Sequence, residues 1–100
     1  MTVLEIADIR VKPENSAAFE AAVAEAVPLF RAAPGCESLR LERSIEQPGR
    51  YLLVVGWATI EAHTVDFRGS EAFTAWRGLV GRYFAAPPHV EHVERVLEGF

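Results

Sequence analysis

The sequence is short of cysteine, of excess positive charge and of long apolar runs, and each shortage removes a class of function. Cys36 is the only cysteine, so no disulfide can form within the chain and one chain cannot build a thiolate cage for a metal. With no histidine or basic residue beside it, Cys36 reads as a small apolar residue opening a strand rather than as an activated nucleophile. Ten Lys and Arg stand against fourteen Asp and Glu, a formal net charge of −4, and the bases are scattered rather than striped. No nucleic-acid partner is expected from that distribution. No stretch approaches the roughly 20 apolar residues that cross a bilayer. Acids in the opening MTVLEIADIR break any signal-peptide pattern, so no membrane partner and a cytoplasmic location are expected.

What is present is a hydrophobic half: 50% of 100 residues, enough for a single domain over 1–100 with one core. A domain this small buries a modest share of its surface, so a homodimer is the expected assembly.

The first segment alternates, with Val3, Glu5, Ala7, Ile9 and Val11 on one side and Leu4, Ile6, Asp8 and Arg10 on the other, a strand over 3–11. Pro13 opens an Ala- and Glu-rich helix running to about 33, in which Phe19, Val23, Ala26 and Phe30 form a stripe. Pro28 deletes a backbone donor there and predicts a kink or an early end. After the Pro34-Gly35 stop, Leu39, Leu41 and Ile45 alternate with polar residues as a second strand. Gln47-Pro48-Gly49-Arg50 has the residues of a type II turn and leads into the apolar run 51–57, completing a hairpin. That run is apolar on both faces, so it is expected to be covered by helices on one and by a partner subunit on the other.

Thr59 can cap a short helix over 60–67, and Ser70 can cap the next, whose stripe is Phe73, Trp76, Val80 and Tyr83. Pro87-Pro88 ends that helix. The closing HVEHVERVL fits a helix or a strand by periodicity alone. The order strand, helix, strand, strand, helix, final strand is the split βαβ arrangement, and it favours strand. The expected class is therefore α+β: a ferredoxin-like, four-stranded antiparallel sheet with helices on one face and the other face open to a mate.

Three blocks in this order, PGCESLRLERS, YLLVVGWATIEAH and PPHVEHVERV, resemble the antibiotic biosynthesis monooxygenase family over nearly the whole chain. The resemblance implies a dimeric α+β barrel with a ligand pocket between each sheet and its helices. Within the family are oxygenases that act on phenolic, quinol or polycyclic aromatic molecules without metal or flavin, haem-degrading enzymes, and a sugar-phosphate isomerase. By ungapped spacing, the Asn, Trp and His used in haem breakdown fall on Ala7, Asp66 and Trp76, three mismatches that disfavour that activity. Trp57 and Arg77 are similar to residues of the cofactor-free oxygenases. There His63 stands for a Tyr, Leu53 for an Asn, and Asp66 for a frequent His.

The resemblance thus implies a monooxygenase of a phenolic, quinol or polycyclic aromatic small molecule, with dioxygen as co-substrate and no cofactor. Its alternative is a non-oxygenase member, an isomerase or ligand-binding protein. Trp57, Phe67, Phe73, Trp76 and Phe84 are candidate walls of an aromatic cleft, although core packing accounts for large aromatics equally. His63 and Asp66, three apart on one short helix, are candidate bases for a phenolic proton. Arg77, rather than Arg82, is the candidate for stabilising an oxyanion. His89 and His92 do not read as a metal pair, because strand residues three apart point to opposite faces; a subunit contact is the expected role for at least one of them.

Overall fold

A computed structural model describes residues 2–100. Strand β1, Val3–Arg10, alternates as its sequence demands, with Glu5, Ala7 and Ile9 buried beneath the helices. Helix α1, Ser16–Arg31, follows a 3-10 turn at Pro13–Asn15 and buries Phe19, Ala22, Val23, Ala26 and Phe30. Pro28 lies in the last turn of the helix, which ends at Arg31, two residues short of the expected 33, with Ala32 N–H donating to the Pro28 carbonyl at 3.1 Å. At three residues from the helix end, the lost donor removes a single bond of the last turn.

Strands β2, Cys36–Arg43, and β3, Arg50–Trp57, form the hairpin. Gly49 sits at φ 83° and Arg50 N–H donates to the Gln47 carbonyl at 3.1 Å, the type II geometry that Pro48-Gly49 encodes. Ile45 is not part of β2: Ser44 N–H already closes the hairpin on the Arg50 carbonyl at 2.9 Å, and Ile45 lies beyond it, 94% exposed. Helix α2, Glu71–Val80, is capped by Ser70, whose hydroxyl accepts from Phe73 N–H at 3.3 Å. Strand β4, His89–Glu94, settles the ambiguous last segment as strand.

The sheet order is β2-β3-β1-β4, antiparallel throughout, the ferredoxin-like topology. Both helices lie on one face, where Phe19, Phe30, Tyr51, Leu53, Val55, Trp57 and Val80 are essentially removed from water. Paired residues share a face, so the registers Leu4↔Val93, Ile6↔Val54 and Asp8↔Leu52 place those six on the opposite, helix-free face. Among the described residues, no helix is long and apolar enough to cross a membrane.

Candidate active site

The site grows from one anomaly of β1. On the helix-facing row of that strand, between apolar neighbours, stands a carboxylate, Glu5, only 6% exposed. A charge in such a place must find partners or be neutralised. Three segments supply neighbours. At the end of β3, Trp57 Nε1–H donates to Glu5 Oε1 at 3.0 Å. The register of β1 with β4 sets His92 directly across from Glu5. From above, His63 brings Nε2 to 3.3 Å from Glu5 Oε1 and Nδ1 to 2.8 Å from His92 Nε2, so the two imidazoles share a hydrogen bond.

His63 reaches this point because its helix is wound wide. Thr59 Oγ1 accepts from Ala62 N–H at 3.0 Å, as a cap should, and the chain then turns as a π-helix at Ala62–Phe67, with Arg68 N–H bonded to the His63 carbonyl at 3.1 Å. The His63 ring stacks on Trp57, centroids 5.3 Å apart and planes 16° from parallel. The same winding overturns the pairing of His63 with Asp66. In an i→i+5 helix three residues fall well short of a full turn, so Asp66 points away, exposed, to a separate groove beside Pro28 and Pro34.

A cavity of about 210 Å³ opens over Glu5 and His63. Ala7, Ile9 and Leu53 form its floor, Phe73, Trp76 and Phe84 its aromatic walls, and Pro88 and Val90 its far side. Arg68 and Arg77 also line it, both largely in solvent, and the Arg77 guanidinium lies 6.0 Å from the Phe73 ring centre and 5.6 Å from that of Phe84. Of the residues expected from sequence, His63, Arg77, Phe73, Trp76 and Phe84 therefore share one cavity. Trp57 lies behind it as the donor to Glu5, fully buried, and Phe67 is core, packed on Phe30 and Trp57. Leu53, in place of an amide, leaves the floor apolar.

Sequence reasoning passes over Glu5, Arg68 and His92 as site residues. Glu5 is visible as the single charge on the apolar row of β1. Of the two histidines considered for a subunit contact, His92 instead turns its side chain toward the helices; it is His89, paired with Asp8, that lies on the helix-free face. Nothing local marks Arg68.

Burial shifts the carboxylate and the imidazoles of the site in opposite directions. Burial raises the Glu5 carboxyl above its ordinary value, and the Trp57 hydrogen bond and the charge of Arg68 oppose this without cancelling it. Burial, reinforced by Arg68 and His92, pulls the His63 imidazole down to about 4, so it is neutral near pH 7. His92 is lowered for the same reasons, burial first and then Arg68. Glu5 thus lines the cavity with its carboxyl raised, and His63 stands between it and half-buried His92. Among the described residues, no cluster of three His, Cys, Asp or Glu side chains could hold a metal ion.

Comparison with known proteins agrees with this architecture. The sequence pattern of the family described as antibiotic biosynthesis monooxygenase matches residues 2–79. A Bordetella bronchiseptica crystal structure, provisionally assigned to the antibiotic biosynthesis monooxygenases, is 54% identical, with a TM-score of 0.94 over 96% of this chain and 98% of its own. YczJ, an uncharacterized protein of Bacillus subtilis strain 168, is 35% identical over 94 residues, 94% of this chain and 99% of that one. At 15% identity, and so for the fold alone, the chain is similar to a point mutant of SnoaB, a cofactor-independent oxygenase from Streptomyces nogalater (TM-score 0.79; 98% of this chain, 96% of that one). With a pattern match over most of its length and a 54% identical relative of the same shape, the chain belongs to the antibiotic biosynthesis monooxygenase family.

Proposed function

We propose that the protein is a cofactor-independent monooxygenase of a phenolic or quinol small molecule. The observation that carries this reading is a buried, basic carboxylate at the floor of an aromatic-walled cavity, with an arginine at its rim. An apolar chamber holds the ring and excludes water, and Glu5 takes the acidic proton. The proton can pass by way of His63 to His92. The positive charge of Arg77 at the rim favours the anion as it forms within the cavity.

The electron-rich anion then gives one electron to dioxygen, and the radical pair couples to a peroxide anion on the ring carbon. Return of the proton from Glu5 gives the hydroperoxide. Loss of the one hydrogen on that carbon as a proton breaks the O–O bond: one oxygen atom stays as a carbonyl, and the other leaves as hydroxide and takes up the proton to become water. The substrate supplies all the electrons.

Two copies would close the helix-free face, where Leu4, Ile6, Leu52, Val54 and Val93 form an apolar patch. That assembly is part of the proposal, and light scattering tests it: a dimer is expected, and a monomer at working concentration removes it. The activity is tested by incubating metal-free protein with a panel of quinols and phenols under labelled dioxygen. One labelled atom per product is expected, and turnover no faster than buffer overturns the reading. A product isomeric with the substrate, without label, would establish the alternative that Leu53 favours, a non-oxygenase using the same cavity.

A further inference from the structure

The arginines of this protein fall into two sets. Arg10, Arg40, Arg43, Arg50 and Arg95 each lie within ion-pair distance of a carboxylate. Among the described residues, Arg31, Arg68, Arg77 and Arg82 do not, and two of these four, Arg68 and Arg77, come from different segments to line one cavity. Two guanidiniums at one rim, neither in ion-pair contact with a carboxylate, match an anion, and their planar forks suit a carboxylate. The rings of Phe73 and Phe84 hold Arg77 in place beforehand, which lowers the entropy lost when it binds.

Size and polarity narrow the ligand further. An apolar cavity of about 150 Å³ accepts benzene. The cavity here, about 210 Å³, has room for one ring with substituents or two fused rings, and a third ring would have to stand in solvent. Orientation follows from the floor: a second carboxylate beside Glu5 would be repelled in a site with little water, so an acidic group must point outward.

We propose that the ligand is a one- or two-ring hydroxyaryl carboxylic acid, its carboxylate held at the rim by Arg68 and Arg77 and its hydroxyl directed inward at Glu5. The hydroxyl rests on the oxygenase reading above; the charge and the size do not. Calorimetric titration of the full chain with naphthoate, naphthalenemethanol and anthracenecarboxylate tests it. Naphthoate is expected to bind about tenfold or more tighter than the alcohol, as befits a charge-assisted hydrogen bond, and about tenfold tighter than the three-ring acid. The double variant Arg68→Gln/Arg77→Gln should bring naphthoate to the level of the alcohol, while Arg82→Gln, outside the cavity, should leave the preference intact. Equal binding of acid and alcohol, a preference that survives the double variant, a three-ring acid that binds as well as naphthoate, or no binding of any probe overturns the proposal. Dioxygen takes no part in this titration. Acid preference without oxygen incorporation would remove the oxygenase reading alone; label entering neutral quinols without acid preference would remove this one alone.

Discussion

Glu5 and Asp8 are two carboxylates three residues apart on β1, and the pleat sends them to opposite faces of the sheet. Burial acts on both in the same direction, raising the carboxyl. On the helix-free face, Asp8 overcomes it: Arg50 lies at 3.0 Å and Arg10 at 3.1 Å, and their hydrogen bonds and charges bring its carboxyl below the usual value. Beneath the helices, Glu5 has a neutral indole and a neutral imidazole for immediate neighbours, and burial wins. The pair shows that a carboxyl stays below its ordinary value where paired guanidiniums contact it and rises where burial is opposed by neutral donors and a more distant charge.

The sharpest test of this contrast is the loss of each carboxylate. If Glu5 is the base, Glu5→Gln should lower kcat/KM by about 10²- to 10⁴-fold, the usual worth of general-base catalysis, while Asp8→Asn leaves it within error. Equal losses in steady-state assays of the two variants would erase the distinction.

The second test is acid stability. His63 is depressed from 6.5 to about 4, so its contribution is fully present above pH 6.5 and is lost as pH falls toward 4, when the unfolded chain binds the proton and the folded one does not. At about 1.4 kcal/mol per pKa unit, the loss is up to about 3 kcal/mol. Glu5 has the opposite sign: its folded value is raised, so ionisation lowers stability as pH rises through that value. Asp8, being lowered, contributes above pH 3.8 and loses its contribution as pH falls through its folded value. Urea unfolding from pH 7 to pH 4 should therefore be steeper in the wild type than in His63→Gln. Parallel curves would show that His63 does not titrate as described.

A smaller effect is expected from Trp57→Phe, which keeps the ring but removes the donor to Glu5. Leaving that buried oxygen short of a partner should cost about 1–3 kcal/mol and raise the Glu5 carboxyl further, an upward shift that carboxylate-resolved NMR titration would register. Smallest of all, Asp8→Asn should cost about 1 kcal/mol or less in thermal unfolding, the usual worth of a partly exposed ion pair.

The candidate site is legible in the sequence in uneven measure. Phe73 and Trp76 can be read from the α2 stripe, and His63 from its place after a capped turn. Asp66 is misplaced by α-helical spacing because the chain winds there as a π-helix, and a wider turn leaves no mark in residue types. Which of His89 and His92 turns toward the helices is hidden for another reason: the phase of β4 depends on its register with β1, which the short segment does not encode.

By itself the sequence determined what local rules can fix: the alternation of β1, the type II turn at Pro48-Gly49, the Thr59 and Ser70 caps, and the strand-helix order that specifies the topology. Each depends on neighbours a few positions away. Tertiary structure alone decided that Glu5, Trp57, His63 and His92, spread over four elements, would meet, and that Asp66 would not join them. Titration follows distance and burial in space, and neither is a property of adjacent residues.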